Sequence, residues 1–322
     1  MTSGKRAGSA RLRRALLIAG PTASGKSAVA VELARRFDAT IINADSMQVY
    51  RDLRVLTARP TPQEEKRARH ALFGVVDGAV NYSVGLWLTE AIGIAEQVFD
   101  EGRPVIFVGG SGLYFRALTD GLVETPAVPE AVRAEVRAKS ETRPTAALHE
   151  ILKGLDPATA ARLQPNDRQR VLRALEIFEA SGASLAALQG VRVAPFFGSD
   201  EWAGLFLAPE RAELDLAINA RFDAMLRKGA LEEIEALAGR RLAPALPVMR
   251  ALGVPQLLAH LDGRMSLEDA AARAKLETRR YAKRQFTWAR HQMKAFRWIK
   301  PVEALEMGSL AIDGLVAGSP RL

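Results

Sequence analysis

Gly20-Pro21-Thr22-Ala23-Ser24-Gly25-Lys26-Ser27 stands between the apolar run Ala15-Leu16-Leu17-Ile18-Ala19 and the helical pattern Ala28–Arg36. A buried strand, a loop bounded by glycines and ending in Lys-Ser, and a helix, in that order, form a phosphate-binding P-loop in its proper setting. Glycine lets the backbone curl so that successive N–H groups point inward. The helix contributes the positive end of its dipole and Lys26 a point charge. Such a nest takes a diphosphate or triphosphate, and the Ser27 hydroxyl is placed to ligand a Mg2+ ion bridging phosphate oxygens. The loop leaves open whether the phosphate is transferred, hydrolysed or expelled.

Further apolar runs at Ala39–Ala44, Ala71–Val76, Pro104–Val108 and Leu205–Ala208 are separated mostly by helical patterns. That alternation predicts an α/β fold, a P-loop NTPase-like parallel sheet flanked by helices. From Pro126 to Gln189 strand-like runs vanish and Ala/Arg/Glu-rich helical patterns take over. The chain therefore divides into a basic tail (1–14), a core built from 15–122 and 196–322, and an inserted all-helical domain (123–195). Helices are expected at Glu213–Ala238, Val254–Leu261 and Leu267–Lys294.

The chain carries 45 Lys and Arg against 37 Asp and Glu, a formal charge of +8, which points to a polyanionic partner. It has no Cys, so disulfides, thiolate catalysis and zinc knuckles are excluded. No apolar stretch spans a bilayer, and the tail, with Lys5, Arg6, Arg11, Arg13 and Arg14, lacks a signal core, so no membrane partner and a cytoplasmic location are expected. That tail reads as a flexible, solvated extension.

In open α/β sheets ligands lie beyond the carboxyl ends of the strands. Asp45, directly after the second run, therefore shares a crevice with the P-loop. Its carboxylate is suited to a metal or a proton, or else to capping the segment after it. Gly109-Gly110-Ser111-Gly112-Leu113-Tyr114 is a second glycine-rich strand exit, where small residues admit a ligand and Ser111 offers a hydroxyl. On a helical wheel of Thr278–Arg290, Arg279, Lys283, Arg290 and Lys294 fall together with Arg280, Arg284 and His291 beside them. Tyr281 and Trp288 turn the other way, toward the expected core. Acidic partners at i+4 are almost absent, so this stripe is suited to a phosphate backbone. Asp167 is a reasonable cap for a helix opening with Arg168-Gln169-Arg170, side chains able to read bases or phosphates.

Together, Gly20–Ser27, Asp45-Ser46-Met47-Gln48-Val49-Tyr50, Thr57-Ala58-Arg59-Pro60, Gly109–Tyr114, Asn166–Arg170 and Thr278–Arg290 resemble the tRNA dimethylallyltransferase family, in order from about residue 15 to 300. The resemblance implies transfer of a dimethylallyl group from dimethylallyl diphosphate to the N6 amine of the adenosine 3′ of the anticodon in tRNA. It implies Asp45 as general base, Ser111 in place of the family's threonine, and Arg221 with the P-loop, Lys26 and Mg2+ at Ser27 on the leaving diphosphate. The implied tRNA contacts are Asp45, Ser46, Met47 and Gln48, then Ser111, and Arg133 in the insertion. Gln169, Arg170, Val171, Leu172 and Arg173 come next, then Arg250, and finally Lys283, Arg284, Gln285 and Arg290. A monomer is expected.

Two departures stand out. Val55-Leu56-Thr57 lacks the family's glycine before Thr57, and Gly253-Val254-Pro255-Gln256 replaces a Gly-Tyr-Lys-Glu, beside Arg250. The competing readings are a small-molecule kinase, with Asp45 deprotonating a hydroxyl and Arg221 clamping phosphate, and an RNA-binding nucleotide sensor. The first leaves the basic helix unused. The second is weakened by the lack of an acidic residue ending Val105-Ile106-Phe107-Val108.

Overall fold

The computed structural model describes residues 13–123, 125–188 and 193–317. Two compact units emerge, one made of residues 1–119 and 196–322, the other of Asp120–Pro195. The insertion expected from residue 123 thus begins three residues earlier. Lys5, Arg6 and Arg11 lie outside the described residues. Arg13 is tied to the first unit: it donates to the Phe196 carbonyl at 2.9 Å and pairs with Glu96 at 3.5 Å.

The first unit is built on a six-stranded sheet of order β3-β2-β4-β1-β5-β6, with every neighbouring pair parallel. The strands are β1 (Ala15–Ala19), β2 (Thr40–Asn43), β3 (Arg69–Ala71), β4 (Val105–Gly109), β5 (Trp202–Leu207) and β6 (Arg297–Ile299). β1, β2 and β4 are buried along their whole length, as strands covered on both faces must be. Alternate residues serve opposite faces. Leu16, Ile18, Ile41, Ile106, Leu205 and Leu207 join the inward sides of helices Lys26–Phe37 and Ala304–Val316 in one apolar cluster. Phe107 turns the other way and meets Trp87 and Phe197 edge to face.

Three expectations change. β3 lies at Arg69–Ala71 rather than Ala71–Val76, because Leu72 and Gly74 take positive φ (63° and 64°) and end the strand. The helix expected over Glu213–Ala238 is two helices, Arg211–Arg227 and Ala230–Gly239, broken at Gly229 with φ 94°. Lys294 lies past the end of the long helix Leu267–Gln292, and β6 is a strand too short for its pattern to announce. Among the described residues no helix is long and apolar enough to cross a membrane.

The second unit is helical, with Glu130–Ser140, Thr145–Leu155 and Arg168–Ser181 as its longest elements. Its own core holds Val136, Leu148, Leu152, Ala160, Val171, Ala174 and Leu175. Within it, buried Glu176 meets Arg137 at 3.0 Å, Arg173 at 3.8 Å and Arg133 at 3.9 Å.

Candidate active site

The chain leaves β1 through Gly20 and Pro21 and curls through two positive φ angles, 65° at Ala23 and 84° at Gly25, before the helix begins at Lys26. This alternation turns the backbone amides to one side, the geometry of an anion nest. The N–H groups of Ala23, Gly25, Lys26 and Ser27 have no acceptor among the described residues, and the buried Ser24 hydroxyl has no partner either. Among the described residues Lys26 Nζ donates only to the Pro21 carbonyl, at 3.1 Å. Burial pushes its pKa down to about 8; Asp45 opposes that shift and Arg221 adds to it. Arg221, from helix Arg211–Arg227, bonds the Thr22 hydroxyl, and burial pushes it down to about 10 against the pull of Asp45.

Neither cation forms an ion pair with a described carboxylate. One buried and one half-buried positive charge, four free amides and a stranded hydroxyl around one loop call for a multiply charged anion. No group of three His, Asp or Glu that could hold a metal exists among the described residues, and the Ser27 side chain is exposed. A Mg2+ ion fits here only on phosphate oxygens, Ser27 and water, the manner in which Mg2+ is ordinarily held beside phosphates.

Beyond β2, Asn43 organises the turn that presents Asp45: its side chain accepts from the Asp45 N–H at 2.8 Å and donates to the Asp45 carbonyl at 2.9 Å. Asp45 Oδ1 accepts the Met47 N–H at 2.9 Å, which leaves Oδ2 for other work. Beside it Ser111 Oγ accepts the Ser46 N–H at 2.9 Å, and the Ser111 N–H donates to the Ala44 carbonyl at 3.1 Å. The two strand exits can lie this close only because Gly109 has no side chain; a Cβ there would sit 1.9 Å from the Ala44 carbonyl oxygen. Gly109→Ala is therefore expected to destabilise the protein by about 3 kcal/mol, measured by urea denaturation, since neither neighbouring backbone has room to yield.

Between these turns opens a cavity of about 390 Å³. Gly20 lines it on the phosphate side and Ser46, Ser111 and Gln285 supply polar atoms, while Tyr82, Tyr114, Phe115, Phe206, Tyr281 and Trp288 make its walls largely apolar. Tyr114 stacks on Trp87 at 4.1 Å, and the Trp87 Nε1–H donates to the Asn43 carbonyl at 2.8 Å, so the aromatic wall also props the turn that carries Asp45. Burial and then the nearby Asp45 charge push the Tyr114 and Tyr281 hydroxyls up, which keeps both neutral. Helical periodicity alone places Tyr281 and Trp288 in a packed core. They are half-buried and face this cavity instead, Trp288 lying where a Cβ on Gly112 would be, 2.1 Å from its ring.

Lys283, Arg284 and Arg290 are exposed along the long helix, Arg284 over the Tyr281 ring and Arg290 over Trp298. Gln285, on the same helix, is buried and points inward, unlike the other residues of its expected RNA-contacting group. Ser46, Met47 and Gln48 are half-buried, and the Gln48 amide donates to the Thr57 carbonyl at 2.8 Å. The turn carrying Thr57 is held by Glu233, whose carboxylate accepts the N–H groups of Val55 at 2.8 Å and Leu56 at 3.0 Å; no sequence motif had singled out Glu233. Arg250 is exposed at the end of a short 3-10 turn, Pro247–Arg250, and Pro255 occupies the first turn of helix Val254–Leu261, where its missing N–H costs nothing. In the helical unit Gln169 and Arg170 are exposed and Arg173 is half-buried. Val171 is fully buried and Leu172 packs against the same core, so their side chains are not available to RNA. Arg133 pairs with Glu130 and Glu176 and is largely covered.

A family profile described as IPP transferase matches residues 48–292, and one described as isopentenyl transferase matches residues 13–81. The chain belongs to the IPP transferase family. It is 58% identical over 290 residues to a tRNA dimethylallyltransferase of Beijerinckia indica, covering 90% of this chain and 96% of that one. The corresponding protein of Nitrobacter hamburgensis is 53% identical over 300 residues, 93% and 95% of the two chains. Among solved structures, a tRNA isopentenylpyrophosphate transferase from Bacillus halodurans superposes with a TM-score of 0.68 at 31% identity, covering 95% of this chain and 98% of the other. A eukaryotic dimethylallyltransferase acting on tRNA superposes with a TM-score of 0.79 at 27% identity, over 96% and 80%. The fold and family expected from the motifs are thus those found.

Proposed function

We propose that this chain transfers the dimethylallyl group of dimethylallyl diphosphate to the N6 amine of the adenosine 3′-adjacent to the anticodon of tRNA, releasing diphosphate, in the cytoplasm. The observation that carries this reading is the cavity's make-up. An aromatic, apolar space lies between an anion nest whose two cations form no ion pair with a described carboxylate and a turn bearing a carboxylate and a hydroxyl. A five-carbon apolar group attached to a diphosphate matches the first two parts, and an incoming amine the third.

In the reaction the N6 nitrogen attacks C1 of the dimethylallyl group as the C1–O bond breaks, and that bond's electrons leave on the diphosphate. The amine is a weak nucleophile and must lose a proton as the C–N bond forms; Asp45 Oδ2, not needed by the Met47 N–H, takes it. Ser111 Oγ accepts the Ser46 N–H at 2.9 Å and donates to Ser46 Oγ at 3.2 Å, so its remaining lone pair can accept the second N–H of the same amine and fix its orientation. The free P-loop amides, Lys26 and Arg221 stabilise the charge growing on the leaving group. Mg2+ bound at Ser27 would add to that charge neutralisation. Aromatic walls keep water from the allylic carbon.

The target adenosine must leave its stack, which a single-stranded loop makes inexpensive. Lys283, Arg284 and Arg290 would hold the RNA backbone, with Gln169, Arg170 and Arg173 as contacts of the helical unit. Lys283→Ala is expected to weaken tRNA binding and to reduce the slope of log K against log salt by about one, as loss of one phosphate contact requires. An unchanged slope would remove Lys283 from the interface. The reading itself is tested by incubating the protein, Mg2+ and dimethylallyl diphosphate with unmodified tRNA and digesting to nucleosides. Prenylated adenosine is expected, whereas its absence alongside phosphoryl transfer from ATP to a small acceptor would favour the kinase.

A further inference from the structure

Gln285 joins the two halves of the site. Its Oε1 accepts the Thr22 N–H of the P-loop at 3.0 Å, and its Nε2 donates to the Gly110 carbonyl at 2.9 Å. Both amide groups are thereby spent on backbone, and the side chain is buried. The fit is close: a Cβ on Gly110 would lie 2.3 Å from Gln285 Nε2. On one side of the bridge Thr22 holds Arg221 through its hydroxyl. On the other, Gly110 precedes Ser111, which holds the Ser46 N–H beside Asp45. The residue sits between Arg284 and Lys283 on one side and Arg290 on the other, on the helix whose outer face is the exposed basic stripe.

We propose that Gln285 is a positioning residue that couples the two substrate sites, so that a diphosphate in the P-loop and RNA on the basic helix each strengthen binding of the other. The proposal rests on the function proposed above. A shift of the long helix under bound RNA reaches Thr22 and Arg221 through one hydrogen bond, and the Ser111 turn through the other. Thermodynamic linkage makes the effect reciprocal. A loosely packed side chain at this position would transmit nothing; a buried bridge with both ends on main chain moves both loops or neither.

The test uses the full chain with Mg2+, inorganic diphosphate and an unmodified anticodon stem-loop, a pair that binds without reacting. Calorimetric titration of diphosphate with and without the RNA gives the coupling ratio. The native protein is expected to show a ratio of about five or more, the ordinary scale of coupling between sites. Gln285→Met, similar in length but without either hydrogen bond, is expected to bring the ratio to about one, whatever change it makes in the affinity for either ligand alone. Gln285→Glu keeps an oxygen facing Thr22, loses the donor to Gly110 and adds a negative charge beside the phosphate loop; it is expected to weaken diphosphate binding by itself and to lose the coupling too, and its coupling ratio decides the question if the Met variant does not fold. A native ratio of one, or a folded variant with the native ratio, would overturn the proposal. Failure of the functional reading has a different signature, namely native protein that makes no prenylated adenosine.

Discussion

Asp45→Asn is expected to lower the single-turnover rate of prenyl transfer with saturating tRNA and donor by about 10²- to 10⁴-fold, the usual contribution of a positioned general base. The substitution keeps the side chain's shape and the oxygen that accepts the Met47 N–H, so the turn after β2 survives. tRNA affinity should change by no more than about threefold. Equal losses in rate and in RNA binding would make Asp45 an RNA contact rather than a base. The electrostatics carry a second consequence. Asp45 is the group that holds the Lys26 pKa up against burial and Arg221. Removing its charge must shift any Lys26-dependent step to lower pH.

Lys26→Met should reduce kcat/KM for the donor by about 10²- to 10³-fold, the scale of losing one preorganised group facing a developing negative charge. The native protein carries the same information in its pH dependence. The free protein's Lys26 titrates near pH 8, against 10.5 for an ordinary lysine. Donor affinity is therefore expected to fall as pH rises through about 8, because the neutral amine no longer attracts the diphosphate. Stability without ligand must run the other way. Between about pH 8 and 10.5 the unfolded chain binds the proton and the folded chain does not, so this lysine contributes rising stability across that window. Denaturation and donor titrations over pH 7.5–10 should show opposite trends, and Lys26→Met should flatten both.

The parts of the site legible in the sequence are those set by local chain geometry. Gly20–Ser27, Asp45 and Gly109–Ser111 each lie at the carboxyl end of a strand, and the parallel sheet brings such ends to one crevice whatever the intervening chain. The features that escaped depend on long-range packing. Tyr281 and Trp288 satisfy a helical period that does not distinguish a filled core from a lined cavity. Gln285 carries the same basic-segment signal as Lys283 and Arg284, and only the approach of Gly110 and Thr22 turns it inward. Val171 sits in a polar-looking helix start, yet its face is set by the core of the helical unit. Glu233 lies 177 residues from Leu56 in sequence, and no local rule pairs a helix carboxylate with a distant turn. β6, three residues long, exists because β5 offers an edge to pair with.

The proposed chemistry has two halves, a leaving diphosphate and an attacking exocyclic amine, and one experiment measures both. Diphosphate release is quantified against prenylated adenosine recovered from an anticodon stem-loop, beside a second RNA in which purine replaces the adenine next to the anticodon. One diphosphate per prenylated adenosine, and neither product with the purine RNA, is the predicted result. Diphosphate released at the native rate with the purine RNA, or prenylation of that RNA, would contradict it.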